Sequence, residues 1–298
     1  MASKVPSQLL GSNETLPVTQ HHDVYSTIDP TFAWQSQTYR GKSVFITGAS
    51  RGIGRSTAIT FAKAGAAVAI SARSEKALEE TKALILQEAP EAKVETYAVD
   101  VSKAADMEVV MKSAAAAFGG LHVVIANAGY SNTFDIPMHE RAPDQWWRTF
   151  EVNVQGVYNT LRASVDFLRQ SGGYFIAVTS NGAQLRWPGG ADYMTSKHAV
   201  NRLVEFIALE NPQIKTFSLH PGMVVTELVE KSKLMEYGFS FEDSPELAAS
   251  TMLYLCSGKG DWLNGRYVEA TWDLGQIERE WKGKILDNGL LINKLSVN

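Results

Sequence analysis

Residues 43–66 read SVFITGASRGIGRSTAITFAKAGA and carry the signals of a strand, a tight turn and a helix in immediate succession. SVFIT is short, apolar and rich in β-branched residues, which predicts a buried β-strand. The glycines permit a tight turn, and the residues that follow have helical periodicity. This order predicts the opening strand and helix of a βαβ unit, with the glycine-rich turn at the carboxyl end of the strand.

The alternation of strand and helix continues to about residue 273. The strand candidates are SVFIT, AVAIS, KVETYAV, HVVIAN, GYFIAVT, IKTFSLH and GRYVEAT. Helical patterns begin near Gly52, Ser74, Lys103, Pro143, Ala191 and Pro245. Most of the strands are continuously apolar, which indicates that helices cover both faces of the sheet. We therefore expect an α/β protein with a doubly wound, Rossmann-type three-layer fold and a seven-stranded parallel sheet.

The chain is expected to form one domain over residues 41–273, with extensions at residues 1–40 and 274–298. The first extension carries aromatic residues, Tyr25, Phe32 and Trp34, which are rarely left free in water. Packing against the domain or a neighbouring subunit is favoured for them, and a functional lid is the alternative. The long segment 226–243 follows the sixth strand, and long ordered insertions of this kind often cover active sites.

Composition excludes several classes of protein. A net charge of -4 lacks the basic footprint that nucleic-acid binding leaves, and no apolar run approaches the ~20 residues of a membrane helix. Cys256 is the only cysteine, so an internal disulfide or a thiolate metal cluster cannot form. The polar N-terminus lacks a signal-peptide pattern, and a soluble, cytoplasmic protein is expected. We expect His21 and His22, in the first extension, to lack carboxylate or cysteine partners, which argues against a metal site.

The glycine-rich turn has the pattern of a phosphate-binding loop. In a strand-turn-helix context it presents free amides and a helix N-terminus to a pyrophosphate, and its residues are Gly48, Ser50, Arg51, Gly52, Ile53 and Gly54. A site for a free ribose 2′-hydroxyl would place an acidic residue about 20 positions on, but the sequence there has Arg73. Arg73 and Arg51 favour a 2′-phosphate, and hence NADP(H) over NAD(H). The alternative is that both are ordinary surface charges.

Ser180, Tyr193 and Lys197 predict a proton-transfer site. Tyr193 and Lys197 are four residues apart in a helical pattern, so their side chains share one face of the helix. A nearby ammonium would stabilise the phenolate and lower the pKa of Tyr193, which would let it exchange protons near neutrality. The sequence thus predicts a hydroxyl, a phenol and an ammonium around one substrate oxygen.

These residues together resemble the classical short-chain dehydrogenase/reductase family over residues 42–273. TGASRGIG resembles the family's cofactor turn, and the YxxxK pair and catalytic serine are matched by Tyr193, Lys197 and Ser180. Further matches are Asp100 with Val101 (the adenine contact), the Asn127-Ala128-Gly129 motif, the helix asparagine Asn153, and Pro221, Gly222, Val224 and Thr226 along the nicotinamide. Ala126 departs from the asparagine that is common there. The region after the seventh strand resembles that of reductases from filamentous fungi.

The resemblance implies an NADP(H)-dependent enzyme that interconverts a ketone or aldehyde and an alcohol. Tyr193 would donate the proton, Ser180 would orient the carbonyl, Lys197 would bind the nicotinamide ribose and Asn153 would hold a relay water. Family members commonly form homodimers or homotetramers through the helices that carry Asn153 and Tyr193. The alternatives are epimerisation, dehydration or ring closure with the same groups, and a cofactor-binding module without turnover.

Four further side chains have alternative roles. Trp146 and Trp147 are favoured as core or interface residues over substrate-stacking groups. Gln184 and Trp187 lie between Ser180 and Tyr193 in sequence, and we expect one of them to line the substrate pocket.

Overall fold

A computed structural model describes residues 10–295 of the chain. Its strands are β1 (Ser43–Thr47), β2 (Ala67–Ala72), β3 (Val94–Ala98), β4 (Val123–Ala126), β5 (Tyr174–Val178), β6 (Lys215–His220) and β7 (Arg266–Glu269). They form one seven-stranded sheet in the order β3-β2-β1-β4-β5-β6-β7, with parallel neighbours throughout. The predicted fold class and strand count are confirmed.

Helices lie on both faces of the sheet. They are α1 (Thr31–Ser36), α2 (Gly52–Lys63), α3 (Glu75–Glu88), α4 (Ala104–Phe118), α5 (Pro143–Phe150), α6 (Gly156–Ser171), α7 (Ala191–Glu210), α8 (Glu227–Ser232), α9 (Pro245–Tyr254), α10 (Leu274–Glu280) and α11 (Lys282–Asp287). Val44 and Ile46 belong to the core on one face, and Phe45 belongs to the core on the other. This alternation explains why SVFIT is continuously apolar, because both of its faces are buried.

The six predicted helices begin within one residue of the predicted positions, and side chains cap two of these six. Ser74 accepts a hydrogen bond from the amide of Ala77 at the start of α3. Ser244 accepts one from the amide of Leu247 at the start of α9, where Pro245 occupies the first turn. Both caps satisfy amides that the helix itself leaves without partners.

The order of the strands fixes the position of a crevice. The chain runs outward from β1 to β2 and β3, and then returns to place β4 on the other side of β1. Helices after β1 and β4 therefore cover opposite faces, and a cleft opens between their loops at the carboxyl edge of the sheet. The segments that follow β1, β4, β5 and β6 carry the predicted motifs, so the topology brings these motifs to one edge.

Both extensions pack on the domain over their described residues. Leu16 and Ile28 share a core cluster with Leu274, Ile277 and Ile285. Residues 10–40 and 274–295 therefore contribute to the main hydrophobic core. The division of the chain at residues 40 and 273 stays a prediction.

The aromatic residues of the first extension differ in their environments. The Tyr25 hydroxyl donates to the carbonyl of Trp272, and the Trp34 indole donates to the carbonyl of Thr60. Phe32 remains 71% exposed. For Tyr25 and Trp34 the contacts agree with packing against the chain's own domain.

The expectation that His21 and His22 have no carboxylate partners was wrong. His21 Nε2 lies 3.1 Å from Asp273, and His22 Nδ1 lies 2.6 Å from Asp243. These carboxylates are more than 200 positions away in sequence, and only the fold brings them to the extension. No group of three or more potential metal ligands occurs within residues 10–295, and no helix in that range has the length and apolarity to cross a membrane.

Candidate active site

A cavity of about 750 Å³ lies along the carboxyl edge of the sheet. The predicted site residues that line it are Gly48, Ser50, Arg51, Gly52, Ile53, Gly54, Arg73, Asp100, Val101, Asn127, Ala128, Gly129, Ser180, Tyr193, Lys197, Pro221, Gly222, Val224 and Thr226. Asn153 is fully buried behind this surface. The fold thus brings the glycine turn, the proton-transfer trio and the segment after β6 around one space.

The glycine turn is held in a close backbone contact with the end of β4. Gly48 has a positive φ of 66°, and a Cβ on Gly54 would lie 2.6 Å from the carbonyl oxygen of Gly48. The Asn127 amide donates to the carbonyls of Thr47 and Gly48. Larger residues would not fit at these two glycines. The turn therefore keeps its shape before any ligand binds.

The two arginines at the phosphate end have different partners. Arg51 forms an ion pair with Glu227, which also pairs with Lys231 on the same helix. Arg73 follows β2 at the rim of the cavity and is exposed. The Glu227 contact was not predicted, because a carboxylate 176 positions away in sequence has no local signal.

Asp100 is fixed by neighbours on two elements. Burial opposes its ionisation, but hydrogen bonds from the amide and hydroxyl of Ser102 and an ion pair with Arg148 outweigh this and lower the pKa of Asp100 to about 2. The carbonyl of Val101 accepts from Asn159, and Gly156 leaves space for the Val101 side chain. Arg148, another residue that sequence reasoning missed, also lines the cavity.

Ser180, Tyr193 and Lys197 meet in the middle of the cavity. The Ser180 oxygen accepts the amide of Gly182 at 3.0 Å and is hydrogen-bonded to the Tyr193 phenol. Lys197 Nζ donates to the carbonyl of Val178 at 2.8 Å and lies 5.8 Å from the centre of the Tyr193 ring. Tyr193 and Lys197 therefore lie on one face of α7, as predicted, and this face is directed toward the end of β5.

The expected lowering of the Tyr193 pKa does not occur in the structure. Burial raises the pKa of Tyr193, and the hydrogen bond with Ser180 offsets this only in part. Burial also lowers the pKa of Lys197 to about 8. The sequence indicated that the two groups are neighbours, but it gave no measure of how far both are removed from water, and desolvation favours the neutral form of each.

Asn153 lies in a π-helical turn, Glu151–Gln155, between α5 and α6. Its side-chain oxygen accepts the amide of Tyr130, and its nitrogen donates to the carbonyl of Tyr130 and to the Ser196 hydroxyl. Ser196 in turn donates to the carbonyl of Tyr193. Asn153 thus links the loop after β4 to the helix that carries the phenol. A water-holding role stays a prediction.

The segment after β6 is fixed by Asp243 at the far end of the 226–243 segment. Asp243 accepts the amide of Met223 and contacts Gly222 closely, while its other oxygen pairs with His22. His220, which lines the cavity, has a pKa lowered to about 3 by burial, so its ring is neutral. Thr226 caps α8 by accepting the amide of Val229.

Trp187 rather than Gln184 lines the cavity among the described residues. Phe134, from the long segment after β4, contacts the Tyr193 ring at 5.9 Å between centroids, and no sequence signal marked it. Trp146 and Trp147 stack with Phe150 on α5 away from the cavity lining.

The residues present fit a nicotinamide dinucleotide. The amides at the start of the twelve-residue helix α2 line one end of the cavity, and Tyr193 and Lys197 line its middle. Helix N-termini of this kind favour phosphate, and the narrow glycine turn allows close approach of its backbone.

A doubly wound sheet with a dinucleotide turn, a serine, a tyrosine and a lysine around one cavity defines the class of nucleotide-dependent oxidoreductases. The short chain dehydrogenase model matches residues 42–236. The chain belongs to the short-chain dehydrogenase/reductase family, whose members bind NAD(H) or NADP(H) and act on small molecules.

Similar proteins come from fungi, bacteria and archaea. Short chain dehydrogenase mpl6 of Monascus purpureus is 38% identical over 92% of this chain and 94% of its own length. An alcohol dehydrogenase from Thermococcus sibiricus complexed with 5-hydroxy-NADP is 33% identical, with a TM-score of 0.67 over 76% of this chain and 95% of that structure. A 3-ketoacyl-(acyl-carrier-protein) reductase from Brucella melitensis complexed with NADH is 26% identical, with a TM-score of 0.70 over 77% and 96%. The resemblance to fungal members of the family is confirmed.

Proposed function

We propose that the protein is an NADP(H)-dependent carbonyl reductase or alcohol dehydrogenase that interconverts a ketone or aldehyde and an alcohol. One observation carries this proposal: Ser180, Tyr193 and Lys197 line the same cavity as the glycine turn. A carbonyl oxygen beside the Ser180 and Tyr193 hydroxyls would lie in a site that can supply a proton. Residues 41–273 are the catalytic domain in this proposal, and 226–243 is its substrate loop.

Each polar residue of the site has a distinct task in the proposed reaction. A bound nicotinamide would supply or accept the hydride. Ser180 orients and polarises the carbonyl, and Tyr193 gives its phenolic proton to the oxygen as the alcohol forms. Lys197 holds the nicotinamide ribose and offers its positive charge to the phenolate, while Asn153 holds a water in the path by which the proton is replaced.

The preference for NADP(H) rests on the side chains near the end of β2. That strand ends without a carboxylate, and Arg73 lies exposed at the cavity rim with Arg51 nearby in the turn. Guanidinium groups bind phosphate through charge-assisted hydrogen bonds. The Thermococcus enzyme was crystallised with an NADP derivative and the Brucella enzyme with NADH, so similarity alone favours neither cofactor.

Substitution of Arg73 tests the cofactor assignment. Arg73→Ala should raise the KM for NADPH by roughly 10- to 100-fold, the effect of losing a charge-assisted hydrogen bond, and should change the KM for NADH by less than about threefold. Arg40→Ala, at an exposed arginine away from this cavity, is the matched control. A wild-type enzyme that used NADH as well as NADPH would overturn the assignment.

A panel of ketones and aldehydes tests the reaction itself. We expect NADPH oxidation with at least one carbonyl class, and a fall in kcat of about 10²- to 10⁴-fold in Tyr193→Phe while cofactor binding persists. Product formation without net cofactor oxidation would instead indicate epimerisation, dehydration or ring closure. Cofactor binding without any product would indicate a binding module.

We also propose a cytoplasmic homodimer or homotetramer that associates through the helices carrying Asn153 and Tyr193. Large apolar side chains are half or more exposed on α6, which directly follows the turn that carries Asn153, and on α7, which carries Tyr193; they are Tyr158, Phe206 and Leu209. Exposed apolar patches often mark interfaces between proteins. Light scattering after gel filtration should give a mass of two or four chains, and Phe206→Glu should reduce it. A monomer at micromolar concentration would contradict the proposal.

A further inference from the structure

Charge is unevenly distributed around the cavity. Its charged lining residues, within the described part of the chain, are Arg51, Arg73, Asp100, Arg148, Lys197, Glu227 and Lys231. Arg51, Glu227 and Lys231 are joined in ion pairs beside the glycine turn, and Arg148 pairs with Asp100. Six other lining residues form an apolar cluster with Tyr193, namely Phe134, Leu185, Trp187, Met194, Leu234 and Phe239. The part of the cavity that this cluster lines is therefore largely apolar.

Three rings of this cluster form what we call the aromatic wall: Phe134, Trp187 and Phe239. Phe134 packs edge-on against the Tyr193 ring at 5.9 Å, so the wall begins at the proton-donating residue. Trp187 lies 5.3 Å from Phe239, and Tyr237 packs edge-on against Trp187 from the other direction at 5.2 Å. Phe134 and Trp187 are 4% and 6% exposed, and all three rings line the cavity, so a substituent on a carbonyl held at Tyr193 would share the cavity with this wall.

Close contacts between two backbone segments, around Phe134 and around Gly189, restrict the position of the aromatic wall. A Cβ on Gly189 would lie 2.3 Å from the carbonyl oxygen of Phe134, and one on Gly190 would lie 2.7 Å from its ring. The buried Arg141 donates to the carbonyls of Thr133 and Gly189 and thereby ties the two segments together. Phe134 and Trp187 are thus preformed, which reduces the entropy lost when a ligand packs against them.

We propose that the aromatic wall selects uncharged ketones that carry a flat aromatic ring on the carbonyl carbon, with Trp187 as the principal specificity-determining residue. This inference rests on the proposed carbonyl reduction. Aromatic rings gain from offset or edge-on contact beyond the area that they bury. An ionised carboxylate packed against these rings would lose its water without gaining a hydrogen-bond donor from them, which is strongly unfavourable.

Steady-state kinetics with three matched ketones test the proposal: an aryl methyl ketone, an open-chain methyl ketone of equal carbon count, and the aryl ketone with a para carboxylate. We expect kcat/KM to favour the aryl over the open-chain ketone by about tenfold, and over the carboxylate by roughly 100-fold or more. Trp187→Ala should abolish the preference for the aryl over the open-chain ketone, and Trp187→Phe should retain most of that preference. Phe32→Ala, at an exposed ring outside the cavity, should change neither.

The outcomes separate this inference from the proposed function. Equal kcat/KM for all three ketones, with ratios unchanged in Trp187→Ala, would refute selection by the aromatic wall. The proposed carbonyl reduction would still stand. If no ketone is reduced, the proposed function fails, and equilibrium binding of the same three compounds by saturation-transfer NMR decides the inference. Tighter binding of the aryl ketone that is lost in Trp187→Ala supports it, and equal binding overturns it. Phe239→Ala, at a half-buried loop position, replaces Trp187→Ala if that variant does not fold.

Discussion

Replacing Glu269 by glutamine should remove a large part of the pH dependence of the protein's stability between about pH 5 and pH 8. Glu269 ends β7 and is 8% exposed. Burial raises its pKa to about 7, the hydrogen bond from the Tyr267 hydroxyl opposes this, and the charge of Asp243 adds to it. His220 is its partner on β6, and its ring is neutral. The site therefore favours the protonated acid.

The sign of the effect follows from proton binding. Between the ordinary pKa of 4.5 and the folded value of about 7, the folded chain holds a proton that the unfolded chain has released. The free energy of unfolding must therefore fall as the pH rises through this window. Integrating the difference in bound protons from about pH 5 to pH 8 gives a loss of about 2.5 kcal/mol from Glu269 alone.

Urea unfolding at the two pH values measures this loss. Wild type and Glu269→Gln should differ in their change of unfolding free energy by about 2.5 kcal/mol, because glutamine keeps the shape and the acceptor for Tyr267 but does not ionise. Other titrating groups, such as His220, are common to both proteins and cancel. Glu91→Gln, at an exposed position, is the matched control, and the protein concentration is held constant in case the chain associates. A difference that stays within about 0.5 kcal/mol between the two pH values would refute the reasoning.

Three other substitutions test contacts around the cavity. Gly190→Ala should displace the Phe134 ring, because the new Cβ would lie 2.7 Å from it. The variant should have a lower Tm and a higher KM for bulky ketones than wild type, and unchanged values would contradict the close packing. Asp243→Ala should cost about 1–3 kcal/mol in urea unfolding by leaving the Met223 amide without an acceptor, whereas Asp243→Asn should retain most of the stability; equal losses would contradict this. Asn153→Ala should cost about 2–4 kcal/mol in the same assay because three hydrogen bonds are lost, and a loss below about 0.5 kcal/mol would argue against its linking role.

The sheet could be predicted because its signals are local. Most of the strands are short apolar runs with both faces buried, and β3, at the sheet edge, is the partly exposed exception. The glycine turn, the Asn127 motif and the segment at Pro221 and Gly222 each directly follow a strand. Parallel strands bring their carboxyl ends to one edge, so the order of motifs in the sequence already implied a shared crevice. The helical spacing placed Tyr193 and Lys197 on one face of α7, and the structure has Lys197 Nζ 5.8 Å from the centre of the Tyr193 ring.

The partners that complete the site could not be predicted, because they are brought together by the fold and not by spacing. Arg51 meets Glu227, and Asp100 meets Arg148, across loops and helices far apart in sequence. The direction of the shift in the Tyr193 pKa was predicted wrongly for a related reason. Spacing indicates which groups are neighbours, whereas desolvation depends on everything that covers them.

The substrate loop illustrates how these long-range contacts combine. Its first end is fixed where Thr226 caps α8, and its last end is fixed where Asp243 holds Met223 and pairs with His22 of the N-terminal extension. Between these ends, Leu234, Tyr237 and Phe239 pack against the rest of the domain through contacts that include Trp187. Because both ends are anchored by polar contacts, motion of the loop should be greatest in this apolar middle. A smaller residue at position 187 should therefore loosen the loop as well as widen the pocket, and amide hydrogen exchange in residues 234–239 would separate the two effects.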